Sequence, residues 1–242
     1  MPLLTNNDSA QQCRWHGYST TTELEQAAAQ AILHAAQQAI GQRRAFHIVL
    51  AGGTSPRRVY ELLRKADTDW AAWHVYFGDE RCLPPDHAER NSRMAAQAWL
   101  DHVAIPANQI HSIPAEMGAE AAAQAYARTV KGIEQFDLVL LGLGEDGHTA
   151  SLFPGHELGK APDAPAAIAV FNSPKPPPQR VSLSAYRLGA AHQVMFLVTG
   201  AAKQQAIMDW RNRVSIPATA ITPANGVDVY LEATLLSKSS EM

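Results

Sequence analysis

The chain has 242 residues, 46% of them hydrophobic and 18% charged, with a formal net charge of −3. That length allows one large domain or two small ones, and it buries a core without disulfides or a structural metal. The balance argues against wholesale disorder and against a basic field for nucleic acid, and two cysteines, Cys13 and Cys82, are too few for a disulfide scaffold or a four-thiolate zinc site.

Residues 1–18 read as a lead-in with little periodicity. Asn6, Asn7, Asp8, Gln11 and Gln12 break any signal-peptide layout, and no later segment approaches the ~20 apolar residues of a membrane span. The expectation is a cytoplasmic protein with neither a membrane nor a nucleic-acid partner.

A helix is predicted from Thr20, which stands at capping-box spacing from Glu23, through an Ala/Leu/Gln run to Ile40, with Gly41 as its stop. Ala45–Ala51 is short, apolar and reads as a buried strand. It runs into Gly52, Gly53, Thr54 and Ser55, and Pro56 suits the first position of the next helix. Trp73–Phe77 is a strand ending at Gly78-Asp79-Glu80-Arg81. A helix follows over Asn91–Leu100, an extended piece over Gln109–Ile113 and an Ala-rich helix over Ala119–Ile133. Phe136–Leu143 is the strongest strand and leads into Gly144-Glu145-Asp146-Gly147-His148. The Pro/Ala-rich stretch up to Pro178 reads as an active-site loop with one short strand, Ile168–Phe171. A linker is the weaker reading, because Val181–Ser184, His192–Thr199 and Asp228–Leu231 still need a sheet to join. A helix over Ala201–Trp210 completes the last strand-helix unit.

Strands alternating with helical stretches predict an α/β fold: a single domain over 1–242, with a mostly parallel, Rossmann-like sheet and helices on both faces. Such sheets bind ligands at the carboxyl ends of their strands, where three polar loops fall: Gly52–Ser55, Asp79–Arg81 and Gly144–His148.

Each loop has a distinct chemistry. Gly52 and Gly53 let the backbone approach an oxyanion, Thr54 and Ser55 add hydroxyls, and the following helix N-terminus favours negative charge. The Gly-Lys-Ser/Thr ending of a Walker A loop is missing. Arg81 could clamp a phosphate or pair with a carboxylate. Gly142, Gly144 and Gly147 match G-x-G-x-x-G, but the match lies deep in the chain, and Pro154 and Gly155 would truncate the crossover helix of a dinucleotide site. His148 beside Asp146 is the candidate general base, with the carboxylate orienting the ring or a water. No second histidine stands at a metal-ligand spacing from His148, and no G-x-S-x-G elbow is present. The run Ser173–Arg180 joins Pro-rich backbone to Lys175 and Arg180. It suits a rigid loop that brings cations to an anionic substrate better than a polyproline ligand for a partner domain. Lys203 is a further cationic candidate.

Five segments in order resemble one family, the 6-phosphogluconolactonases: LAGGTSP (Leu50–Pro56), FGDERCLPPD (Phe77–Asp86) with Asn91 after it, LGLGEDGHTASLFPG (Leu141–Gly155), SPKPPPQRVSLS (Ser173–Ser184) and VTGAAK (Val198–Lys203). The family is similar in fold to the glucosamine-6-phosphate deaminases. Thr149–Phe153 and the Asp79–Arg81 triplet resemble the lactonases. The resemblance implies hydrolysis of 6-phospho-D-glucono-1,5-lactone to 6-phosphogluconate in the oxidative pentose phosphate pathway. It implies no metal or organic cofactor, and a small-molecule sugar-phosphate lactone as partner of a monomer or small homo-oligomer. His148 and Asp146 would be catalytic. Gly52, Gly53, Thr54, Ser55, Asp79, Arg81, Asn91, Arg180 and Lys203 would bind substrate. Arg90 stands where the family commonly has serine. An amino-sugar phosphate deaminase is the rival enzyme. A sugar-phosphate sensor would need a helix-turn-helix, for which neither end of the chain has room.

Overall fold

The computed structural model describes residues 11–237. Among these the chain forms strands β1 (Cys13–Tyr18), β2 (Phe46–Leu50), β3 (Trp73–Phe77), β4 (Asp79–Arg81), β5 (Ile110–His111), β6 (Phe136–Gly142), β7 (Ala167–Val170), β8 (Arg180–Leu183), β9 (Ala191–Val198) and β10 (Val227–Glu232). The α-helices are α1 (Thr21–Arg43), α2 (Thr54–Leu63), α3 (Asn91–Ala98), α4 (Ala119–Thr129), α5 (Ala185–Gly189) and α6 (Gln204–Arg211).

Seven strands form a parallel sheet in the order β1-β10-β9-β6-β2-β3-β5. Phe136–Leu141 of β6 are buried one after another, as a strand covered on both faces requires. From β2 the chain builds outward through β3 to β5, and from β6 it builds the other way through β9 and β10. The β2/β6 boundary is therefore the topological switch point, where the carboxyl strand ends open a crevice.

A second, antiparallel sheet of β4, β8 and β7 stands beside this one. Two of its strands, β7 and β8, lie one residue before the predicted Ile168–Phe171 and Val181–Ser184; three-residue β4 and the antiparallel pairing were beyond sequence patterning. The segment after Trp73–Phe77 is thus a strand of this sheet, and Val181–Ser184 joins it in place of the parallel one. Chain and sheets connect at Gly78, whose N–H donates to the Leu50 carbonyl (2.9 Å) and whose carbonyl accepts from Leu183 N–H (2.8 Å).

Three local expectations change. Part of the lead-in is β1, a parallel edge strand on β10; residues 1–10 of that lead-in lie outside the described residues. Gly41 does not stop α1. The helix runs on to Arg43, whose guanidinium pairs with buried Asp137, and Arg44 takes the left-handed cap (φ 64°), its N–H donating to the Ile40 carbonyl. Pro56 is the third residue of α2, because the helix opens at Thr54. The other end of α1 is capped as its sequence indicates: Thr20 Oγ1 accepts from Glu23 N–H (3.1 Å).

α3, which carries Asn91, is held against the sheet by aromatic packing. Buried Trp99 meets Trp73 edge-on (5.5 Å between centroids) and stacks on Tyr60 of α2 (5.8 Å). Arg64 Nη2 donates to the Gln97 carbonyl (2.7 Å), tying the C-terminal ends of α2 and α3. Trp99→Ala is expected to cost about 3–5 kcal/mol of stability, read as a lower denaturant midpoint at constant slope.

Candidate active site

A cleft of about 200 Å³ opens at the carboxyl ends of β2, β3 and β6. It is lined by seven of the eleven candidate residues: Gly52, Gly53, Asp79, Arg81, Asn91, His148 and Arg180. Thr54, Ser55, Asp146 and Lys203 are not in its lining; the first three lie within two residues of Gly53 or His148, which are.

The floor is set by a close approach. A Cβ on Gly52 would lie 2.0 Å from Asn91 Oδ1, so only glycine permits the β2–α2 turn to pass there. Gly53 has φ 112°, a left-handed conformation that glycine tolerates. The turn delivers the N-terminus of α2 to the crevice rim, with the positive end of the helix dipole. Ser55 Oγ pairs with Thr199 Oγ1 (2.6 Å), which fastens the turn to the end of β9.

The Asp79–Arg81 triplet divides its labour. Asp79 Oδ1 accepts from Asn91 Nδ2 (2.9 Å) and Oδ2 from Ser151 Oγ (2.5 Å). Glu80 is fully buried and faces away from the cleft. It accepts from the backbone N–H groups of Arg81, Asn91 and Ser92 and from Ser92 Oγ, and so acts as the anion at the N-terminus of α3. Arg81 lines the cleft and donates through Nη1 to the Glu89 carbonyl. Arg90 is also buried and does not line the cleft. Its Nη1 donates to Glu116 (2.8 Å), its Nη2 to the Ile113 carbonyl (2.7 Å), and its Nε lies 3.3 Å from Glu80.

The third wall is the turn after β6. Gly144 N–H donates to the His148 carbonyl (2.7 Å), and Thr149 Oγ1 donates to the Gly142 carbonyl (2.8 Å). A Cβ on Gly144 would sit 1.9 Å from His148 Nδ1 and 2.6 Å from Asp146 Oδ1. The middle glycine of the G-x-G-x-x-G match therefore makes room for an imidazole–carboxylate pair, and no α-helix follows β6 before β7.

His148 Nδ1 lies 2.5 Å from Asp146 Oδ1. An ionised carboxylate only accepts, so Nδ1 carries the proton and Nε2 keeps the lone pair. Burial pushes the imidazole below its ordinary 6.5; Lys175 adds to this, while Asp146 and Asp79 pull the other way. Burial would raise the Asp146 carboxyl, but the hydrogen bond and charge of His148 hold it below the ordinary carboxylate value. The pair can hold a neutral base above pH 6.5.

Two of the cationic candidates also have partners within the protein. Arg180 spends Nε and Nη2 on the carbonyls of Pro177 (3.2 Å), Lys175 (3.1 Å) and Pro176 (2.8 Å), and lies over the Phe153 ring. It shapes the Pro-rich loop as well as lining the cleft. Lys203 Nζ stands 4.0 Å from Glu145 Oε1, beside the turn that carries His148. Among the described residues no three His, Cys, Asp or Glu side chains converge as a metal site requires, and no helix is long and apolar enough to cross a membrane.

Sequence reading missed two tyrosines. Buried Tyr60 hydroxyl donates to the Ala51 carbonyl (2.9 Å) and accepts from its N–H (3.0 Å). Buried Tyr126 does the same for Phe77, at 3.1 and 2.8 Å. Each satisfies the backbone where a strand ends at the cleft, a pairing that spacing along the chain does not reveal.

Residues 19–230 match the family model described as glucosamine-6-phosphate isomerases/6-phosphogluconolactonase. A Synechocystis sp. 6-phosphogluconolactonase is 41% identical over 179 residues, covering 70% of this chain and 73% of that protein. A probable chloroplastic 6-phosphogluconolactonase of Oryza sativa is 36% identical over 183 residues, covering 69% of this chain. The chain spans only 56% of that rice protein's length. The solved 6-phosphogluconolactonase of Trypanosoma brucei superposes with a TM-score of 0.83 at 27% identity, over 93% of this chain and 98% of that one.

The imidazole geometry makes a titration prediction. His148 should take up its proton below pH 6.5, and Asp146→Asn should lower the midpoint further by removing the main group that favours imidazolium. Imidazole proton shifts followed against pH check this; a wild-type midpoint above 6.5 contradicts it.

Proposed function

The chain belongs to the glucosamine-6-phosphate isomerase/6-phosphogluconolactonase family, and on that premise we propose that it hydrolyses 6-phospho-D-glucono-1,5-lactone to 6-phospho-D-gluconate. The observation that carries the reading is the His148–Asp146 pair, its imidazole half-buried, beside a glycine turn and two arginines in one cleft. A δ-lactone is an activated ester, so a positioned base and water suffice and no covalent nucleophile is needed.

His148 Nε2 takes a proton from water as its oxygen attacks the lactone carbonyl carbon. Asp146 keeps the ring in the required tautomer and stabilises the imidazolium that forms. The tetrahedral intermediate collapses with cleavage of the bond from that carbon to the ring oxygen, which takes the proton from imidazolium and leaves as the C5 hydroxyl. The substrate phosphate is assigned to the turn Gly52–Ser55 with the N-terminus of α2, and to basic residues among Arg81, Arg180 and Lys203. Cationic side chains in the same cleft would also stabilise the developing oxyanion. No metal or organic cofactor enters this scheme.

The test is an initial-rate assay on freshly prepared 6-phosphogluconolactone with the spontaneous opening subtracted. His148→Ala should fall in turnover by about tenfold or more while staying folded. A folded, fully active variant would overturn the base assignment. Arg81→Ala should mainly raise KM; a fall confined to kcat would move Arg81 to the oxyanion. The rate should decline on the acid side as His148 is protonated below pH 6.5. Release of ammonia from glucosamine 6-phosphate would replace the lactonase reading with a deaminase one.

A further inference from the structure

Ser151 is 1% exposed and lies three residues beyond His148, on the stretch that closes the turn after β6. Its hydroxyl donates to Asp79 Oδ2 at 2.5 Å. The other oxygen of that carboxylate accepts from Asn91 Nδ2, which also reaches the Asp79 carbonyl (2.9 Å each). Asn91 Oδ1 in turn rests against Gly52, so closely that no side chain fits there. Asp79 and Asn91 are 6% and 4% exposed, so water cannot readily replace either partner. A continuous line of buried polar contacts thus runs from the segment after His148 to the glycine turn.

We propose that Ser151 is a positioning residue that sets the anion-binding turn at Gly52 through Asp79 and Asn91. The proposal rests on the lactonase reading for its substrate. Without the Ser151 donor, the Asp79 carboxylate is held on one side only, by Asn91 Nδ2, and the Asn91 amide keeps a fixed acceptor only in the Asp79 backbone carbonyl. The Gly52–Ser55 turn, pressed against Asn91 Oδ1, then rests on a less firmly held floor. The placement of His148 rests on other groups: its ring is held by Asp146, by the clearance at Gly144 and by the Gly144–His148 backbone bond, and Asp79 acts on it only through its charge, which loss of Ser151 leaves in place. Loss of Ser151 should therefore weaken substrate binding and spare the chemical step.

The test is a double-mutant cycle on the full chain, with melting temperatures recorded for each variant. Ser151→Ala should raise KM about fivefold or more with kcat within about twofold, because it removes one hydrogen bond to a buried carboxylate. Asn91→Ala should raise KM at least as much. The double variant should be no worse than Asn91→Ala by more than about twofold, as expected for residues acting through one another. Calorimetric Kd values for 6-phosphogluconate and for inorganic phosphate should follow the same pattern. Ser151→Cys, similar in size with a weak donor, should fall between wild type and Ser151→Ala, and it serves if the alanine variant does not fold. An unchanged KM, effects that multiply in the double variant, or a loss confined to kcat would each overturn the proposal. Wild-type protein without lactonase activity would overturn the functional reading alone, and the phosphate Kd cycle would still decide the role of Ser151.

Discussion

Gly78 is bonded to two sheets at once. Its N–H closes onto Leu50 in the parallel sheet, and its carbonyl receives Leu183 from the antiparallel one. The chain therefore leaves β3 and enters β4 without an intervening loop, and Asp79 is delivered to the crevice with almost no conformational freedom. From Asp79 the rest of the cleft is tied: Asn91 and α3 on one side, Ser151 and the turn after β6 on the other. A free loop at this point would have to pay ordering entropy for each of these contacts. The rigid junction has met that cost in folding the two sheets.

Burial determines what the polar groups here can do. Glu80, Asp79, Asn91, Arg90 and Ser151 are all at least nine-tenths removed from solvent. An unmet donor or acceptor at such sites costs about 1–3 kcal/mol, so their bonds are strongly specified. Glu80 illustrates the structural use, with its oxygens occupied by the first turn of α3 and by Ser92 Oγ. His148 illustrates the chemical use. Partial burial disfavours its charged form, and Asp146 limits the shift while fixing which nitrogen is free. The same low-polarity surroundings thus serve placement at one end of the cleft and proton transfer at the other.

The long elements were readable because periodicity and composition agree with their tertiary roles. β2, β3, β6 and β9 are mostly apolar runs between turn residues, and their carboxyl ends meet as the strand–helix alternation implies. β1 escaped because none of its residues is fully buried, and it carries Arg14 and His16 amid Cys13 and Trp15 without a clean alternation. The second sheet escaped because strands as short as Asp79–Arg81 owe their form to cross-strand bonds with Arg180–Ser182, a separation of about a hundred positions that local pattern cannot carry. Gly41 looked like a helix stop, yet the pairing of Arg43 with Asp137 draws the helix onward. Within the site, residue types were legible and their division of labour was not. Nothing in the triplet says that Glu80 turns inward to cap α3 while Asp79 and Arg81 face the cleft, or that Arg180 also supports a proline loop.

The central claim is that one crevice holds both ends of a phosphorylated sugar acid, with the glycine turn at the phosphate and His148 at the carbonyl carbon. A crystal structure of the protein with 6-phosphogluconate measures this directly. The account predicts the phosphate against the Gly52–Ser55 backbone and the carboxylate within hydrogen-bond reach of His148 Nε2. Phosphate bound outside the cleft, or a carboxylate turned away from His148, would contradict it.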